Sequence, residues 1–170
     1  MITNAPNDDW HLTNLRNDIT LSPVGLPVKR IEELDFRPLG GGTGMIGLQG
    51  DYTPPSRFVR AVPFAKSARP TQTGAKTRYE TFRILDSFNV PLGAAEGEAS
   101  KTKTDGIRSW TIWTTAYDTK TLVMQYHTMH NRRVRQVDLN KIDFAGAKAL
   151  MRLPLDRNQS QDIEEVTPRR

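Results

Sequence analysis

The chain has 170 residues, enough for one domain with a sizeable core, and an apolar fraction of 36%. Its 24 basic and 19 acidic residues give a net charge of +5 that is dispersed rather than gathered in a stripe, so no nucleic-acid partner is expected. The absence of cysteine excludes disulfides, Cys-ligated metals and a Cys nucleophile from these residues, and no apolar run approaches the ~20 residues of a membrane span.

The first ten residues, MITNAPNDDW, lack the basic and apolar regions of a signal peptide. Trp10, Leu12 and Leu15 in DDWHLTNLRND predict a short helix capped by Asp8 or Asp9. Pro23, Gly25 and Pro27 make LSPVGLPV a loop. LGGGTGMIGLQGDYTPP holds six glycines from Gly40 to Gly50 and reads as a long loop of the kind that often carries function. A helix should start at Pro54 with Thr53 as cap, because proline is preformed for the first helical position. Its expected apolar face is Phe58, Val62 and Ala65, with Ala61 beside it, and Pro63 should kink or end it.

A second helix is expected in GAKTRYETFRILDSFNVP, with Tyr79, Phe82, Ile84 and Leu85 on its apolar stripe and Pro91 closing it. LGAAEGEASKTKTDG reads as a polar loop. RSWTIWTTAYDTKTLVMQYHT is rich in β-branched and aromatic residues, and its polar break at Asp118–Lys120 predicts a hairpin. Trp110 and Trp113 should face opposite ways, which puts at least one in the core. RRVRQVDL and KALMRLPL read as two further strands, and residues 156–170 as a polar tail. Helices followed by antiparallel strands predict an α+β architecture.

The densest basic cluster, Asn131–Arg135, reads as solvated surface. His11, His127 and His130 do not share a metal-ligand spacing, and His127 and His130 are expected to be solvated at a hairpin end. No metal and no cofactor is called for.

Two motifs are specific. GTGMIGLQGDYTPPSRFVRA and TNAPNDDWHLTNLRN resemble the choloylglycine hydrolase family, which includes bile salt hydrolases and penicillin V acylases. WTIWTTAYDTKTLVMQYHT and VDLNKIDF also resemble that family's C-terminal strands, so the likeness runs from Ile2 to Leu155 and makes residues 1–155 one family domain. The resemblance implies an N-terminal-nucleophile hydrolase fold, a four-layer αββα sandwich that cleaves linear amide carbon–nitrogen bonds. The family's nucleophile is an N-terminal Cys whose own α-amino group is the base. Asn4 matches an oxyanion donor, and Arg57 matches the arginine beside the catalytic thiol. The family's Cys, the Arg and Asp soon after it, and a further oxyanion donor have no counterpart in this sequence.

The resemblance therefore implies the C-terminal portion of such an enzyme, inactive alone and acting on a small-molecule amide once completed. A non-catalytic binding protein derived from the same fold is the alternative. An uncovered apolar sheet face would favour a homo-oligomer. The compartment stays open: periplasmic or secreted if a full-length form is exported, otherwise cytoplasmic. Without the family, Asn4 would read as a turn residue before Pro6, and Arg57 as a surface arginine paired with Asp51. Asp51 reads as a loop brace, and neither Thr3 nor Ser56 reads as a replacement nucleophile. Two departures from the family pattern are visible. Gln49, where the family commonly has Pro, is expected to loosen the glycine loop, and Asp8, where an aromatic is usual, removes an apolar wall near the expected acyl pocket.

Overall fold

The computed structural model describes residues 8–39, 44–94, 110–146, 149–153 and 166. The chain forms two compact units, Met1–Glu80 and Thr81–Arg170. Both are built from antiparallel strands and helices, as an α+β chain should be.

In the first unit, helix α1 (Asp8–Asn17) is followed by a small hairpin, β1 (Lys29–Ile31) and β2 (Leu34–Phe36). The pairing register is Lys29 to Phe36 and Ile31 to Leu34, and every residue of both strands is exposed. Residues 29–36 carry no alternation to betray this hairpin. Helix α2 (Pro54–Ser67) comes next, in contact with α1. Thr53 holds the N-cap position in extended backbone, but its side chain makes no cap bond. Its hydroxyl and its backbone N–H instead both donate to Asp51 Oδ1, at 2.6 and 2.8 Å. The helix can start without a side-chain cap because Pro54 and Pro55 have no N–H to satisfy.

Of the two outcomes expected at Pro63, an end to the helix does not occur, since α2 runs on to Ser67. One expectation for α2 is corrected. The buried face is Ser56, Val59 and Arg60, not the stripe through Phe58, Val62 and Ala65. Phe58 and Val62 are half-buried and Ala65 is exposed. Ser56 and Arg60 are polar and fall outside an apolar periodicity, yet with fully buried Val59 they form an i, i+3, i+4 face.

Helix α3 (Gly74–Asp86) stops short of the expected Pro91, and its C-terminal residues belong to the second unit. Phe82 is buried, while Tyr79, expected on the same stripe, is exposed. The second unit is a three-stranded sheet in the order β3 (Trp113–Asp118), β4 (Val123–Thr128), β5 (Arg135–Asp138). The β3–β4 hairpin pairs Trp113 with Thr128 and Asp118 with Val123. Its turn is built by Asp118, whose Oδ1 accepts from Lys120 N and Thr121 N, and Leu122 closes it at φ 59. Four consecutive residues of the central strand, Gln125–Thr128, are buried, which covers both faces of β4 there. Trp113 is half-exposed and Trp110 half-buried ahead of the strand. KALMRLPL is not a strand among its described residues, where 149–153 are exposed coil. Only Met151, Leu153 and Leu155 alternate, and no neighbouring strand pairs with the described residues there.

Candidate functional site

The corner where the glycine loop enters α2 gathers a network of polar side chains. Gly47, at φ 88, lets the chain turn where a side chain would be strained. Asp51 then braces the turn. Its Oδ1 accepts from Thr53, and its Oδ2 accepts from the Ser56 hydroxyl at 2.6 Å. These bonds, Ser56 first, hold the Asp51 carboxyl at about 2, well below the usual carboxylate range. A carboxylate that acidic is a poor proton acceptor near neutrality, so Asp51 is a brace and not a general base.

Arg60 lies one turn further along α2 and is buried at 5% exposure. Its Nη1 donates to the backbone carbonyls of Gln49, at 2.8 Å, and Asp51, at 2.6 Å. A buried guanidinium bonded to two loop carbonyls ties the loop to the helix. Ser56 is 3% exposed and faces the Asp51 carboxylate and the Gln49 carboxamide, so its hydroxyl is neither accessible nor paired with a usable base.

Gln49 corrects the expectation of a looser loop. Its Nε2 donates to both carboxylate oxygens of Asp18, at 3.3 and 3.1 Å, and its Oε1 lies 2.8 Å from Ser56 Oγ. The side chain therefore binds the turn after α1 to the first turn of α2.

Arg57 is the exposed member of this corner. Its amide donates to Thr53 O at 3.0 Å, the first helical bond of α2, and its side chain is open to solvent. The pairing of Arg57 with Asp51 is not formed, because the Asp51 side chain is taken by Thr53 and Ser56. Asn4, the other expected site residue, lies outside the described residues, as does the side chain of Asp8.

A second polar cluster, in the second unit, was not anticipated. His127, expected to be solvated, is buried at 3% exposure, with its ring centroid 5.2 Å from that of Phe82. Arg132 Nη1 approaches His127 Nδ1 at 3.5 Å, while Arg132 Nη2 meets Asp86 Oδ1 at 3.0 Å. His127 Nε2 lies 3.4 Å from the same Asp86 oxygen. Burial first, then the Arg132 charge, lower the His127 pKa, and Asp86 opposes both. The ring therefore stays neutral near pH 7. Asp86 also accepts from Asn89, which in turn accepts from Thr114 on β3 at 3.1 Å. A cavity of about 180 Å³ between Val90, Pro91, Trp113, His127 and Arg132 opens beside the cluster. These residues lie far apart in sequence, so no spacing could announce them.

Among the described residues, no group of three His, Asp or Glu is placed to hold a metal ion, and no helix is long and apolar enough to cross a membrane.

Residues 1–160 match the profile of the linear amide C–N hydrolases of the choloylglycine hydrolase family. The chain is 28% identical to a bile salt hydrolase/transferase of Clostridium perfringens over 86% of its own length and 43% of that protein's. It is 33% identical to a conjugated bile acid hydrolase of Lactobacillus acidophilus over 69% of its length and 35% of the relative's. Its backbone resembles the crystal structure of a variant of the conjugated bile acid hydrolase from Clostridium perfringens, with a TM-score of 0.72 at 26% identity, covering 97% of this chain and 47% of that one. Penicillin V acylase from Agrobacterium tumefaciens shares the fold at a TM-score of 0.53 and 22% identity, over 84% of this chain and 36% of that one. The chain thus spans under half the length of these relatives.

Proposed function

The chain belongs to the choloylglycine hydrolase family of linear amide C–N hydrolases, with the α+β N-terminal-nucleophile hydrolase fold, and from that premise we propose that it supplies Asn4 and Arg57 to an amide-hydrolysing site. The nucleophile of that site comes from outside these 170 residues, which contain no cysteine. The observation that carries the reading is the α2 corner. Asp51, Ser56, Arg60 and Gln49 bond to one another, to Asp18 and Thr53 or to loop backbone, whereas Arg57 on the same turn is exposed.

The chemistry assigns each residue a task. A thiolate attacks the amide carbonyl carbon, the C–N bond breaks as the amine leaves with a proton, and water releases the acid from the thioester. Arg57 is permanently charged, so it favours the thiolate and can hold a polar substrate group. The Asn4 carboxamide donates to the tetrahedral oxyanion, and losing one such donor costs roughly 2.7–4 kcal/mol of transition-state stabilisation. The substrate is a small acyl amide of the bile-salt or penicillin V kind, and the 170-residue chain alone is inactive.

The test compares the pure chain with the same chain joined to a Cys-bearing N-terminal portion of a relative. Penicillin V and a glycine-conjugated bile salt are the substrates. The chain alone should release no product, the joined form should turn over, and Arg57→Ala should abolish most of that turnover. Release above blank by the chain alone contradicts the reading.

A second reading, a non-catalytic interaction protein, is favoured by one observation. Ile31, Leu34 and Phe36 of the β1–β2 hairpin are each more than half exposed. Such a surface promotes self-association into a homo-oligomer. Sedimentation that stays monomeric across a wide concentration range would remove this reading.

A further inference from the structure

Gln49 makes a separate contribution at three of its polar groups. Its backbone carbonyl accepts from Arg60, its side-chain nitrogen donates to Asp18, and its side-chain oxygen faces Ser56. Asp18 sets the orientation of the amide, because the NH₂ must face its two carboxylate oxygens, and this leaves Oε1 on the Ser56 side. Ser56 then stands between two acceptors, Gln49 Oε1 at 2.8 Å and Asp51 Oδ2 at 2.6 Å, with a single proton to share. Thr53 Oγ1, 3.2 Å from Ser56 Oγ, joins the same chain of hydroxyls and carboxylates.

We propose that Gln49 is a positioning residue: its carboxamide couples Asp18, in the turn after α1, to Ser56, on the first turn of α2, and so sets where Arg57 stands. What concerns Arg57 in catalysis rests on the function proposed above, whereas the coupling itself does not. Ser56 and Arg57 are consecutive, so any drift of Ser56 moves the guanidinium beside it. The Asp18 link is charge-assisted, which makes it stronger than a neutral amide bond. It also depends on the sign of the donor and acceptor, which a space-filling role would not.

The test is hydrogen exchange of the Arg57 amide in the full chain, read by NMR. Gln49→Leu and the near-isosteric Gln49→Glu should each exchange about tenfold faster than the parent, the loss of one charge-assisted bond. The double variant Asp18→Asn/Gln49→Glu restores the link with its polarity reversed, since the introduced amide donates to the introduced carboxylate. Its exchange should return to within about twofold of the parent. Parent-like exchange in Gln49→Glu, or a double variant no better than that single, overturns the proposal. If Gln49→Glu does not fold, recovery of a folded chain in the double variant supports the coupling and failure to recover overturns it. Failure of the joined enzyme to turn over amides would count against the proposed function and leave the exchange result standing.

Discussion

The α2 corner and the three-stranded sheet are held together by different means. In the corner, an exposed carboxylate and a buried guanidinium bind loop backbone directly, and the only fully buried apolar side chain of α2 is Val59. In the sheet, β4 is paired on both sides and buried over four residues, and Phe82 packs on its histidine. The first arrangement fixes a few atoms accurately with directional bonds. The second draws on area removed from water and is less sensitive to any one polar group. A chain that presents one outward arginine from a glycine-rich entry benefits from the first arrangement at that place.

The contrast can be broken from either side. Phe82→Ala should have the largest effect, a loss of about 4 kcal/mol in denaturant unfolding of the second unit, because the ring is buried against His127. Arg60→Ala should cost about 3 kcal/mol by the same measurement in the first unit, since two loop carbonyls lose a charged donor. Amide exchange should separate the two, with Phe82→Ala loosening β4 and Arg60→Ala loosening residues 49–57.

Acid sharpens the comparison. The folded pKa of His127 lies below its unfolded value, so the unfolded chain binds that proton more readily. The stability it contributes is complete above its unfolded value near 6.5 and falls as pH drops through and below it, by no more than about 1.4 kcal/mol per pH unit. Asp51 follows the same direction lower on the scale. Its contribution is present above about 4 and is lost as pH falls toward about 2. A urea titration at stepped pH should therefore show the sheet weakening first and the α2 corner only in stronger acid.

The smallest effects lie at exposed positions. Gly47→Ala should cost about 1 kcal/mol from its left-handed backbone alone, as no atom lies within 4 Å of the added methyl. Arg57→Ala should change stability by less than about 0.5 kcal/mol. That near-neutrality, set beside the cost of Arg60→Ala, would separate the arginine that presents chemistry from the arginine that builds the corner.

The sequence made some of this plain. Proline at the first helical position and a β-branched run split by Asp118 announce α2 and the β3–β4 hairpin, because those signals act within a few residues. The glycine string with Ser56 and Arg57 marks the corner before any coordinates. What stayed hidden depends on distant partners. Ser56 and Arg60 look like surface residues until the loop carbonyls and Asp51 close over them. Asp86 and His127 meet only because the C-terminal end of α3 lies beside β4, and β1–β2 is too short and too charged to show alternation. Gln49 reads as a loop residue until Asp18 arrives to meet it.

The most direct test of the central claim uses the absence of native cysteine. Asn4→Cys and Arg57→Cys, introduced together in the full chain, accept spin labels at those two positions alone, and their separation can be read by pulsed dipolar spectroscopy. A shared amide-hydrolysing site requires one narrow, short distance between them. A long or broad distribution would place the carboxamide and the guanidinium apart and contradict the site.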